Sequence, residues 1–253
     1  MRLVGSLLRV LSPLLRRQPV RLQSQMDIHP ASLWHNPEFA RSTGAFLPRR
    51  EGAARSIEEC SPWDSVRRDM LVLLMRDIEV RGIEGSLAEL GVYKGETARL
   101  IHHYLPDRPL HLFDTFEGFS RGDARAEAAV TGASVSEGQF GNTSVEGVRR
   151  FIQPRNSNVR FHSGVFPDSC DPAVLREVFA FVHLDADLYR PTLAGLDAFY
   201  PVVTQGGYIV VHDYNAWHGA RAATDDFLAG KPEVAIPMPD KSGSAVIVRL
   251  PDA

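Results

Sequence analysis

The sequence predicts a doubly wound α/β fold: a mostly parallel seven-stranded sheet, a closing antiparallel C-terminal hairpin and an N-terminal helical arm. Three observations carry this. From residue 61 onward, short apolar runs alternate with stretches of helical periodicity, the pattern of strand–helix–strand units. Runs such as "AFVHL" and "YIVV" are apolar at consecutive positions, as strands buried on both faces require. Glycines and carboxylates gather just after several of these runs, where open α/β sheets place ligands.

The elements follow in order. Residues 1–25, "MRLVGSLLRVLSPLLRRQPVRLQSQ", carry five arginines and no acid, with Pro13 breaking the apolar face. They read as a basic extension without fixed structure. No apolar run in them approaches the roughly 20 residues of a membrane span, and no uninterrupted signal-peptide core is present; Met26 is an alternative start. Residues 26–60 are polar with scattered aromatics and read as an arm or cap. The domain proper, 61–253, opens on "SPWDSVRRDMLVLLMRDIEVRG". Ser61 is expected as N-cap, with Pro62 at the first helical position and Asp64 completing a capping box. Apolar positions 63, 66, 70, 73, 74 and 78 are expected to face the core, and Gly82 to stop this scaffold helix. Then come a strand at "SLAEL", a helix at "GETARLIHHYL" and a strand at "PLHLFD". Residues 115–143, rich in Gly, Ser and Ala with weak periodicity, read as a lid. A helix at "SVEGVRRFIQ", a strand at "VRFHSG" and a helix near "DPAVLREVF" follow. After them come the strand "FVHLD", the helix "RPTLAGLDAFYP", the strand "GGYIVVHD" and the helix "GARAATDDFLAG". The runs "EVAIPM" and "SAVIVRL" flank the turn "PDKSG" as the closing hairpin.

The length of 253 residues fits one large domain with an N-terminal extension. A net charge of −3 and the absence of a basic patch interleaved with aromatics give no footprint for nucleic acid. Cys60 and Cys170 are far apart and form no metal or redox spacing, which suits a reducing, cytoplasmic setting. An arm ahead of the core is also a means of packing a homo-oligomer.

The chemistry concentrates at four strand ends. "LAELGVYKGETARL" places Glu89 at the end of the first strand, followed by a loop through Gly91, Tyr93 and Gly95. Its spacing, E-x-G-x-x-x-G, differs from the dinucleotide fingerprint. "LFDTFEGF" ends the second strand on Asp114, about 20 residues after the glycine turn, where a nucleoside-binding sheet sets an acid against ribose hydroxyls. A wide glycine loop with such an acid points to S-adenosylmethionine. Glu89, Gly91, Tyr93 and Gly95 then lie near its methionine part and Asp114 on the ribose. Phe116, Ser163 and Gly164 are candidates to border the adenine. "HLDADLYRPT" brings Asp185 and Asp187, two carboxylates that repel each other unless a cation or proton is shared between them. An Asp-x-Asp pair also serves metal-dependent glycosyltransferases, but that reading gives no role to the glycine turn with Asp114, nor to Asp213 at a further strand end. Tyr189, Tyr214 and Trp217 follow the acidic strand ends and are candidate acceptor contacts; His183 reads as a core histidine.

Together "LAELGVYKGETARL", "LFDTFEGF", "HLDADLYRPT" and "GGYIVVHDYNAWHGARAATDDF" resemble the macrocin O-methyltransferase family over roughly residues 60–250. The resemblance implies the Rossmann-like class I methyltransferase fold, S-adenosylmethionine as donor, and magnesium-assisted transfer to a hydroxyl of a sugar, glycoside or phenol. It makes Asp185 a metal ligand beside the donor and Asp187 the general base. Two adjacent aspartates would complete the metal site; this chain has His212 followed by Asp213. Magnesium prefers oxygen donors, whereas imidazole suits transition metals. A relative that binds the donor without turnover is the other reading consistent with that departure.

Overall fold

The computed structural model describes residues 64–152 and 157–251. The extension at 1–25, the arm at 26–60 and the residues Ser61, Pro62 and Trp63 lie outside them.

Helix α1 spans Ser65–Arg81 and differs from the sequence expectation at both its start and its face. The N-cap is Asp64, not Ser61: its carboxylate accepts the Arg67 N–H at 3.1 Å and, through the second oxygen, the Lys241 N–H at 3.0 Å. Met70 and Ile78 are buried as expected, but so are Leu71, Val72 and Met75, while Val66 and Leu73 are each 42% exposed. Apolar residues occur on several sides of this helix, so their spacing alone sets no unique phase. Gly82 ends it in the left-handed region, with φ 64°.

Strand β1 (Ser86–Leu90) leads to α2 (Glu96–Tyr104), β2 (Leu110–Asp114), α3 (Arg121–Thr131), α4 (Val145–Ile152) and β3 (Val159–Ser163). Then come β4 (Phe179–Leu184), α5 (Tyr189–Phe199), β5 (Val203–Val211), α6 (His218–Leu228), β6 (Ile236–Pro237) and β7 (Ala245–Val248). Two expectations are corrected here. "DPAVLREVF" forms only a short 3-10 turn at Val174–Arg176, because β4 begins three residues later and leaves no room for an α-helix. The 115–143 segment contains the eleven-residue helix α3. Its buried positions are Asp123 and Glu127, so a search for apolar periodicity passes over it.

The strand order is β3-β2-β1-β4-β5-β7-β6, the first five parallel and β7 antiparallel to both of its neighbours. The order reverses at β1, so the crevice between the carboxyl ends of β1 and β4 is the topological switch point. Alternate residues of the central strands serve two cores. Leu87, Leu112, Phe181 and Val210 pack on one face with Met75, Ile78 and Ile101. Ala88, Leu90, Phe113, Val182 and Ile209 pack on the other with Leu196 and Phe199. Both faces are therefore fixed by burial, which sets strand register and delivers Glu89 opposite His183 and Asp114 opposite Ser163. No helix among the described residues is long and apolar enough to cross a membrane.

Candidate functional site

A cavity of about 400 Å³ opens at the carboxyl ends of β1, β2, β4 and β5. Its wall includes Glu89, Gly91, Tyr93, Asp114 and Gly164, and also Asp185, Asp187, His212 and Asp213. Of the residues expected around a donor, three are not in the wall. Gly95 sits at the start of α2, Phe116 turns into the core against Phe161, and Ser163 is exposed on β3.

The loop after β1 is held by Asp114. One carboxylate oxygen accepts the N–H groups of Val92 and Tyr93 at 2.7 and 2.8 Å; the other accepts that of Phe116 at 2.7 Å. An ionised carboxylate offers about four lone-pair sites, so one acceptor position remains after these three bonds. Gly91 has φ 86°, and a β-carbon there would sit 2.0 Å from the Asp185 carbonyl oxygen. The close approach that requires glycine is thus between the β1 and β4 ends themselves. Gly95 caps α2 with φ 82°, and a β-carbon would meet Val148 of α4 at 2.7 Å.

Beneath the loop, Glu89 and His183 form a fully buried pair, Oε1 to Nδ1 at 3.0 Å. Burial, then the charges of Asp185 and Asp114, pushes Glu89 well above the usual carboxylate range. Burial likewise drives His183 down to about 3. Both directions leave the pair uncharged, a neutral hydrogen bond rather than an ion pair. Glu89 Oε2 makes no well-aligned hydrogen bond, and the main-chain N–H of Ala98 acts on this carboxyl as a donor.

The ends of β4 and β5 converge on a second cluster. Asp185, Asp187, His212 and Asp213 each offer one ligand atom, all within 4.8 Å of one another. His212 Nδ1 lies 2.6 Å from Asp185 Oδ1 and 3.2 Å from Asp213 Oδ1, and Arg67 Nη1 contacts Nε2 on the far side of the ring. Asp187 and Asp213 hold left-handed backbone, φ 60° and 56°, which short acidic side chains tolerate better than most. That turn keeps both carboxyls at the strand ends. Asp185 lies deep but keeps 27% of its side chain accessible through the cavity mouth. Burial opposes its ionisation, yet His212, His183 and Arg67 together hold it at about 2. Asp187 moves the other way: burial, then Asp185 and Asp213, raise it well above the ordinary value. Asp213 is raised by burial and by Asp185, against His212. Within one cavity, one carboxyl is held in its ionised form while its neighbour has a raised proton affinity.

Several wall residues carried no signal in the sequence. Phe119 and Phe140 come from the 115–143 segment and meet edge to face at 5.4 Å; Tyr93 packs on Phe140 and Trp217 on Phe119. Asp123 reaches the wall from α3 and is bonded by Arg190 at 2.5 Å. Arg67 arrives from α1, a helix read as scaffold. Tyr189 and Tyr214 are not in the wall; their hydroxyls donate to Asp226 and Asp225 on α6.

The model of the family described as macrocin O-methyltransferase (TylF) matches residues 45–249. The chain is 28% identical over 170 residues to demethyldecarbamoylnovobiocin O-methyltransferase of Streptomyces niveus, covering 61% of this chain and 62% of that protein. The chain thus spans under two thirds of that relative's length. Over 193 residues it is 28% identical to an 8-demethyl-8-(2,3-dimethoxy-alpha-L-rhamnosyl)-tetracenomycin-C 4'-O-methyltransferase of Streptomyces olivaceus, covering 72% of each. The structure of the O-methyltransferase NovP superposes with a TM-score of 0.60 at 26% identity, over 74% of this chain and 81% of that one.

Proposed function

The chain belongs to the macrocin O-methyltransferase family, and from that premise we propose that it transfers the methyl group of S-adenosylmethionine to a hydroxyl of a small-molecule acceptor. Membership also removes the sugar-nucleotide reading of Asp185 and Asp187.

The observation that carries the proposal is a single cavity joining the Asp114-pinned loop to the proton-hungry Asp187. The first half suits the donor. Glycine backbone lines the switch-point crevice, Asp114 keeps one acceptor position for a ribose hydroxyl, and the buried Glu89 Oε2 makes no well-aligned hydrogen bond. When bound, the donor supplies a sulfonium methyl, electrophilic without further activation. The chain's part is to orient the acceptor oxygen in line with the carbon–sulfur bond and to take its proton. Holding two reacting atoms at near-attack distance removes much of the entropic barrier. Asp187 accepts the hydroxyl proton as the carbon–oxygen bond forms, and its raised proton affinity makes it a stronger base than an exposed aspartate. The aromatic wall of Phe119, Phe140 and Tyr93 suits the flat face of a phenol or the C–H face of a sugar. The rhamnosyl group in the name of the Streptomyces olivaceus relative falls in the second class.

The magnesium that the resemblance implies meets a poor fit. Its donor set lacks one oxygen, and the imidazole that replaces it has Arg67 at one nitrogen and Asp185 at the other.

The test is calorimetric titration of the folded protein with S-adenosylhomocysteine, followed by transfer of labelled methyl to phenolic and deoxysugar acceptors. Saturable binding and label in an ether-linked product are expected. A folded sample that does not bind S-adenosylhomocysteine overturns the proposal.

A further inference from the structure

We propose that Arg67, acting through His212, takes the place of the divalent cation at the transfer centre, and that its guanidinium keeps metal ions out. The inference rests on the methyltransferase reading for its function, but its structural basis is independent of it.

Arginine carries donors only. The Arg67–His212 contact is a hydrogen bond when the ring turns its lone pair at Nε2 to the guanidinium and carries its proton on Nδ1, the nitrogen that faces the carboxylates. That nitrogen lies between Asp185 Oδ1 at 2.6 Å and Asp213 Oδ1 at 3.2 Å. A metal needs a deprotonated ligand nitrogen. Neither nitrogen of His212 offers one while the guanidinium is in place.

The four side chains still have the dimensions of a metal site, with ligand atoms within 4.8 Å of one another. What differs is charge. A guanidinium stays protonated at every working pH, so a fixed positive charge occupies the side of the cluster from which the imidazole would otherwise be free to turn. It repels an incoming cation and polarises His212 toward Asp185. Arg67 is also placed with care: its own N–H is held by Asp64, a buried cap whose other oxygen secures Lys241. Arg67 is thus a positioning residue for Asp185, supplied by the helix that precedes the sheet.

The experiment titrates MnCl2 and MgCl2 calorimetrically into the full chain, free and saturated with S-adenosylhomocysteine. Wild type is expected to show no saturable ion binding at millimolar concentrations in either form. Arg67→Met is expected to bind Mn2+ saturably, about 10- to 100-fold more tightly than the millimolar ceiling tested on wild type, the range by which neighbours of metal ligands tune affinity. Arg67→Lys keeps the charge and is expected to stay closed. The double variant Arg67→Met/His212→Asp restores the oxygen donors and is expected to take Mg2+ as well. Saturable Mn2+ or Mg2+ binding by wild type overturns the inference, and so does an Arg67→Met protein that binds S-adenosylhomocysteine but no ion. Should that variant not fold, Arg67→Gln, which removes the charge and keeps a polar side chain, takes its place in the same titration with the same expected outcomes. Because the free protein is titrated too, a failure to bind S-adenosylhomocysteine counts against the methyltransferase reading, while ion binding still decides the role of Arg67.

Discussion

At the ends of β1 and β2, Asp114 spends its oxygens on three main-chain N–H groups and fixes the loop before any ligand arrives. Across the same cavity, at the ends of β4 and β5, three carboxyls and an imidazole crowd together, and His212 Nδ1 and Asp213 Oδ1 have no aligned hydrogen bond. The first region resembles a mould, its shape set by satisfied hydrogen bonds. The second stores electrostatic imbalance, which is where proton affinities diverge and where chemistry is expected. Binding and turnover should therefore be separable by mutation.

The largest effect should follow Asp187→Asn. Turnover should fall by about 10²- to 10⁴-fold, the usual contribution of a general base, with S-adenosylhomocysteine affinity unchanged by calorimetry. An equal loss of affinity would merge the two regions into one. Next is Gly91→Ala, which attacks the contact between them. A β-carbon 2.0 Å from the Asp185 carbonyl, at φ 86°, forces the strand ends apart. The expected cost is about 2–3 kcal/mol, seen as thermal unfolding roughly 5–10 °C lower. Unfolding at the wild-type temperature would show that the two ends are not in rigid contact.

Asp114→Ala should weaken S-adenosylhomocysteine by about 10- to 100-fold, because three N–H groups lose their acceptor as well as the ligand losing its own. Turnover at saturating donor should hold near the wild-type rate, the mirror image of Asp187→Asn. The smallest effect concerns Glu89, whose proton affinity is raised above the ordinary 4.5. Above that pH the unfolded chain ionises at Glu89 while the folded one keeps its proton, so the wild type loses stability as pH rises. Gln cannot ionise. Glu89→Gln should match wild type near pH 4 and become progressively more stable than it as the pH rises above that, read by denaturant unfolding. A difference that does not change with pH would mean that burial does not raise the proton affinity of Glu89.

The parts of this molecule that are legible in the sequence are those with one dominant physical signal. The central buried strands announce themselves as apolar runs and the flanking ones can be read beside them, although "EVAIPM" contributes only Ile236–Pro237 to the sheet. Strand-end carboxylates stand out against those runs, and Asp114, Asp185, Asp187 and Asp213 all line the cavity. Helix α3 escapes such a reading because its inward face is acidic. Its readable signals are Ser120 and Asp123, which cap each other, and an alanine-rich body of high helix propensity. Arg67 has no readable signal. It lies one residue from another arginine on a helix without a clear inner face, and 145 positions separate it from the histidine it contacts.

Helix α5 has no side-chain cap of its own; its first N–H, on Tyr189, donates to Glu127 of α3 at 2.8 Å. Gly219 of α6 makes room for that carboxylate, since a β-carbon there would lie 2.1 Å from it. The part of the cavity wall that comes from residues 115–143 is therefore keyed into the scaffold by one acid and one absent side chain. For anyone wishing to retarget such an enzyme, residues 115–143 are not an interchangeable cassette. A transplanted segment must bring an acid to the place of Glu127, and the recipient must keep a glycine facing it, or the helix that follows Asp187 loses its anchor.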